Sequence, residues 1–133
     1  MTTFRYTDAE FPDLIELVNR ELPDASGFYI VDSLVKMRVN DMNCIVDLID
    51  HNLISRMALD FHSHNNLQLS YSNAIAMLQF PTNRDVILYS SIMCMGKGAG
   101  NLNTELLMEH LNLYYRKCYN ISPILTVIDE VFV

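Results

Sequence analysis

The sequence predicts an α/β fold of about three parallel strands with flanking helices, and three observations carry that prediction. Short β-branched and aromatic runs alternate with longer stretches whose apolar residues recur at helical spacing. The gaps between runs leave room for one helix each, which is the βαβ pattern of a parallel sheet. The runs end in polar clusters, and parallel α/β folds bind ligands at the carboxyl ends of their strands.

Size and composition fit this. A chain of 133 residues is one domain's worth. Half of its residues are apolar and 19% are charged, which predicts a soluble globular domain rather than a disordered one. A net charge of −7 argues against nucleic acid or an anionic membrane surface as partner. No leader pattern and no apolar run of spanning length is read, so no membrane is expected. Cys44, Cys94 and Cys118 are odd in number and widely spaced, with no C-x-x-C pair, which predicts reduced thiols in a cytoplasmic protein.

Taken in order, Thr7-Asp8-Ala9-Glu10 is a capping-box pattern ahead of Phe11, Leu14, Ile15, Leu17 and Val18, a helix ending near Pro23-Asp24. Pro12 belongs only in a first turn, which moves the start later. Gly27-Phe28-Tyr29-Ile30-Val31-Asp32 reads as a buried strand ending in an acid. Residues 40–53 carry Met42, Ile45, Val46, Leu48 and Ile49 at helical spacing. A second strand spans 57–62, and a helix over 67–80 is closed by Pro81. The third strand, 85–92, runs into the turn Met95-Gly96-Lys97-Gly98-Ala99-Gly100-Asn101. Asn101 or Asn103 caps a helix to about residue 119. Ser122 as N-cap and Pro123 at the first helical position open a last helix to residue 133. Its apolar close, Val131-Phe132-Val133, and the two open edges of a three-stranded sheet lead to the expectation that the chain continues or pairs with something.

The chain is organised around Leu59-Asp60-Phe61-His62-Ser63-His64-Asn65-Asn66. Strand side chains alternate faces, so His62 and His64 point the same way at a carboxyl end. Two imidazoles are two of the three or four ligands that a catalytic divalent ion takes from a protein. The alternative is a pair of strand-end histidines satisfied by hydrogen bonds. The glycine-rich turn is no phosphate-binding loop, because Lys97 is not followed by Ser or Thr at the required spacing. Cys94 reads as a small thiol rather than a nucleophile.

These segments resemble the DRE-TIM metallolyases. Residues 61–67 are similar to that family's H-x-H-N segment, followed as there by a helix containing Asn73-Ala74. Residues 95–105 resemble its G-x-G-x-G-N turn with a Thr-Glu helix start, and Tyr29-Ile30-Val31-Asp32-Ser33 its strand ending in Asp-Thr or Asp-Ser. Within the family the likeness is greatest to 4-hydroxy-2-oxovalerate aldolase-like proteins; isopropylmalate and homocitrate synthases and hydroxymethylglutaryl-CoA lyase are more distant. Three positions depart from the pattern: Val35 and Cys94 stand near or at glycine positions, and Tyr89 stands where an aspartate often does.

The resemblance implies a (β/α)8 barrel of about 250 residues. Residues 1–133 would be a single domain forming its C-terminal portion, the last three strands, with residues 1–4 a remnant of an earlier one. The first-strand Arg-Asp motif, source of a metal-binding aspartate and a charge-stabilising arginine, is not among these residues. The implied activity is metal-dependent cleavage or formation of a carbon–carbon bond in 2-oxo acids. The implied metal ligands are His62, His64 and Asn101, for Mn²⁺ first and Mg²⁺ or Zn²⁺ as alternatives; Asn101 is equally well read as a helix cap. Asp32, Ser33, Asn65, Asn66, Gly98 and Gly100 are the implied substrate-binding positions, and no catalytic residue is assigned. The expected partners are a 2-oxo acid or aldehyde, and a second copy or the rest of the barrel. The alternative is an inactive barrel fragment acting at most as a structural or interaction module.

Overall fold

In the computed structural model, residues 10–32 and 37–131 are described. Alternating elements follow one another as α1 (Glu10–Glu21), β1 (Gly27–Asp32), α2 (Val39–Asn52), β2 (Ala58–Ser63), α3 (Ser70–Gln79), β3 (Val86–Tyr89), α4 (Thr104–Tyr115) and α5 (Ser122–Val131), with a 3-10 turn at Ile92–Cys94. The strands form one parallel sheet in the order β1-β2-β3. The predicted α/β class with three parallel strands is therefore what forms.

Register divides the sheet into two unlike faces. Ile30 pairs with Phe61 and Phe61 with Leu88, whereas Val31 pairs with His62 and His62 with Tyr89. Phe28, Ile30, Leu59 and Phe61 pack with Phe11 and Ile15 of α1, Met42, Val46 and Ile49 of α2, and Met77 of α3 in one apolar cluster. Burial of these side chains stabilises the domain by about 2 kcal/mol each. The opposite face carries Tyr29, Asp60, His62, Ile87 and Tyr89, of which Tyr29, Ile87 and Tyr89 are exposed. Helices thus cover one side, and the polar side is left open among the described residues.

Several boundaries differ from the expected ones for local reasons. α3 begins at Ser70 rather than 67 because Gln68 adopts φ 58°, which no helix continues through. β3 stops at Tyr89, since Ser91 instead bridges to Asn103 and Ile92–Cys94 turn. Asn103, not Asn101, caps α4: its side-chain oxygen accepts from the Leu106 amide at 2.8 Å. α4 ends at Tyr115, where Arg116 takes a left-handed conformation. In α5 the Leu125 amide already donates to the Ile121 carbonyl, so Ser122 stands inside the helix rather than at its cap. Residues 1–4, the Thr7-Asp8-Ala9 part of the capping box, Ser33, Val35, Phe132 and Val133 lie outside the described residues.

One side chain fastens the sheet to its helices. Arg84, only 8% exposed, makes an ion pair with Asp50 at 2.6 Å and donates to the carbonyls of Asp50, Leu53, Ile54 and Met57. These carbonyls lie at and after the end of α2, where a helix leaves its last acceptors unpaired. A guanidinium, with five donors in a planar fork, satisfies them together. Replacement of Arg84 by Met leaves the Asp50 carboxylate with only the Thr82 hydroxyl beside it and strands the carbonyls. Urea unfolding is expected to show a loss of about 3 kcal/mol; a loss below about 1 kcal/mol would mean that water replaces the guanidinium.

Candidate functional site

β2 delivers His62 and His64 to one spot, as strand alternation requires: their rings stand 4.9 Å apart, edge to face at 84°. Burial, and then the neighbouring His64, hold the His62 imidazole below its ordinary pKa. At neutral pH this ring is uncharged, the form that binds a metal. Its Nδ1 is buried with no hydrogen-bond partner among the described residues. Asn101 bridges to His64 across an antiparallel pair and donates through Nδ2 to the Met95 carbonyl at 2.9 Å, while its Oδ1 is buried with no hydrogen-bond partner among the described residues. Two imidazoles, with the Asn101 amide on the bridging loop, are ligand types that a divalent ion takes from a protein. Among the described residues no group of three His, Cys, Asp or Glu comes together.

The two loops flanking the histidines are zipped into each other. The Asn65 amide donates to the Gly100 carbonyl at 2.8 Å, and the Ala99 amide donates to Asn66 Oδ1 at 3.0 Å. Asn101 N–H donates to the Cys94 carbonyl at 2.9 Å. Gly100 sits at φ 88°, and a Cβ there would lie 1.9 Å from the Cys94 carbonyl oxygen, so no side chain fits. Gly98, at φ 65°, leaves room for the Asn66 carboxamide.

The sequence-predicted substrate positions fare differently. Asn65 is engaged as a scaffold: its Oδ1 accepts from the Ser70 hydroxyl at 2.7 Å at the start of α3. Asn66 is engaged by the glycine turn. Asp32, 2% exposed and paired in register with Ser63, lies by alternation on the face of Phe28 and Ile30, so it is not brought to the histidines. Gly98 and Gly100 are brought to them through the turn, and Ser33 lies outside the described residues.

Three residues on the open face were missed. Asp60 precedes His62 by two and accepts a hydrogen bond from the Tyr89 hydroxyl at 3.1 Å. The Tyr89 ring meets Tyr29 edge-on at 4.9 Å and stands 6.4 Å from His62. Hydrogen bonding to Asp60 raises the Tyr89 pKa; burial, then Tyr89 and Asp60, raise that of Tyr29. Gly27 gives Asp60 its room, since a Cβ at 27 would stand 2.6 Å from Asp60 Oδ1. The signal was available in the parity: residues 29 and 60 share the face of His62. A groove of about 730 Å³ between α3 and α4, beside Tyr71 and His110, lies away from the histidine pair.

A parallel α/β sheet with two histidines and a glycine turn on its carboxyl rim is what one part of a (β/α) barrel presents. No family model matches the chain. It is 32% identical over 88 residues to 4-hydroxy-2-oxovalerate aldolase of Geobacillus thermodenitrificans, across 66% of this chain and 24% of that protein. It is 27% identical over 108 residues to the enzyme of the same name from Bacillus thuringiensis, across 80% of this chain and 30% of the other. Among solved structures, the "N-terminal domain of a putative aldolase" from Bacteroides vulgatus superposes with a TM-score of 0.79 at 25% identity, over 98% of this chain and 42% of that one. The chain thus spans less than a third of the length of these curated relatives. Over this part of the barrel, the chain is related to the DRE-TIM metallolyases.

Two outcomes follow from the geometry. Cys94 carries φ 56°, a region that costs a non-glycine residue about 1 kcal/mol. Cys94→Gly is therefore expected to offset its own loss of chain entropy and raise stability or leave it unchanged, whereas Gly100→Ala lowers it; urea midpoints compare the two. The lowered pKa of His62 means that the folded chain binds fewer protons than the unfolded chain near pH 6.5. Its contribution is fully present above that pH and is lost as pH falls through the lower folded value. His62→Asn should flatten this part of the stability–pH curve, and an unchanged curve would remove His62 as its source.

Proposed function

We propose that this chain is the C-terminal, histidine-bearing portion of a divalent-metal-dependent carbon–carbon lyase that acts on 2-oxo acids, of the 4-hydroxy-2-oxovalerate aldolase kind. The observation that carries this reading is the paired imidazoles of His62 and His64, clamped on a strand's carboxyl rim by the glycine turn. The chemistry that a bound divalent ion supplies is Lewis-acid stabilisation of the enolate of a 2-oxo acid. Imidazole and amide ligands suit Mn²⁺, the first choice on the resemblance, and also Mg²⁺ less well or Zn²⁺ better.

His62 and His64 would hold the ion through their ring nitrogens, and Asn101 would offer its amide oxygen. Gly98 and Gly100 let a small 2-oxo acid or aldehyde approach the backbone of the turn. Asn65 and Asn66, with side chains already engaged, act by fixing the two loops. The open polar face, and edges of β1 and β3 that no strand among the described residues pairs, favour self-association or pairing with the rest of the barrel. Three unpaired cysteines suit a reducing cytoplasm.

The second reading is an inactive barrel fragment with a structural or interaction role. It is favoured by the absence, among the described residues, of a third acidic or thiolate ligand beside the histidines. Calorimetric titration of the chain with Mn²⁺, beside His62→Ala and His64→Ala, separates the two. Micromolar binding that either substitution abolishes supports the lyase reading. Failure of the wild type to bind overturns an autonomous metal centre and favours the fragment.

A further inference from the structure

Beneath the histidines, the open face carries an arrangement with chemical consequences of its own. Tyr89 is 41% exposed, so its ring borders free space, yet its hydroxyl proton is directed at Asp60 Oδ2. Asp60 is held in place from behind. Its other oxygen is buried against Gly27, where a Cβ would stand 2.6 Å away, and has no hydrogen-bond partner among the described residues. A phenol has one proton and two lone pairs. With the proton spent on a carboxylate that can only accept, the Tyr89 oxygen presents lone pairs alone to anything beside it. The T-shaped contact with Tyr29 keeps the ring from swinging away. In the parallel ladder Tyr89 is the register partner of His62, so a ligand held at the imidazoles and extending along this face passes it.

We infer that Tyr89, oriented by Asp60, is a specificity residue that accepts a hydrogen bond from a hydroxyl on the ligand. On the lyase reading, on which this inference rests, that hydroxyl is the 4-hydroxyl of a 4-hydroxy-2-oxo acid. The same arrangement disfavours a ligand with a carboxylate at that position, because lone pairs of Tyr89 and the charge of Asp60 would face it. Asp60 is a positioning residue here and acts through Tyr89.

The test is a calorimetric titration of the Mn²⁺-loaded chain with 2-oxopentanoate and with its 4-hydroxy derivative, for wild type, Tyr89→Phe and Gly27→Ala. The wild type is expected to bind the hydroxy acid about three- to tenfold tighter, the worth of one hydrogen bond. Tyr89→Phe keeps the ring and should bring the ratio to about one without weakening 2-oxopentanoate. Gly27→Ala displaces Asp60 and should reduce the ratio with the Tyr89 hydroxyl still present. Equal binding of the two acids by wild type, or a preference that survives in Tyr89→Phe, overturns the inference and leaves the lyase reading standing. Binding of neither acid overturns the lyase reading itself and takes this inference with it.

Discussion

The site depends on one constraint: two loops that leave adjacent strands donate backbone hydrogen bonds to each other. Residues 64–66 leave β2, residues 94–101 follow β3, and the bonds from Asn65 to Gly100 and from Ala99 to Asn66 close them together. A side chain at Gly100 would strike the Cys94 carbonyl, so the closure is possible only with glycine there. The histidine pair inherits its fixed geometry from this junction. The backbone of His64 is bridged to Asn101, which fixes the point from which its imidazole leaves the chain.

The sheet beneath separates two tasks by parity. Even positions of β1 and odd positions of β2 feed an apolar cluster against three helices, which holds the domain together. The alternate positions carry carboxylate, imidazole and phenol, groups whose burial without partners is costly. Chemistry and cohesion therefore occupy opposite sides of a single layer, and a one-residue slip in register would exchange them.

Much of this was legible in the sequence, for physical reasons that differ by element. β1 matched its predicted span, and β2 and α2 were within a residue, because period-2 and period-3.6 patterns there are uninterrupted and bounded by turn residues. α3 was read three residues early, since Leu67 and Leu69 continue the apolar composition while Gln68 breaks the backbone geometry. The approach of His62 and His64 followed from alternation alone. Alternation also carried the placement of Asp32 with Ile30, but its position at a strand end suggested a role on the rim. What composition could not convey is which asparagine pairs with which loop: Asn65, Asn66, Asn101 and Asn103 are chemically alike, and only the fold divides them between scaffold, clamp, bridge and cap.

The contact between Gly27 and Asp60 has an evolutionary reading. Their Cα atoms belong to neighbouring strands, Asp60 being one step beyond Gly27's register partner Ala58 in the series on the open face. The carboxylate occupies the volume that a side chain at 27 would need. A side chain at 27 therefore has to displace the carboxylate at 60. Descendants of this sequence that acquire alanine or serine at 27 should carry a shorter residue at 60, and those that keep glycine should be able to retain the acid.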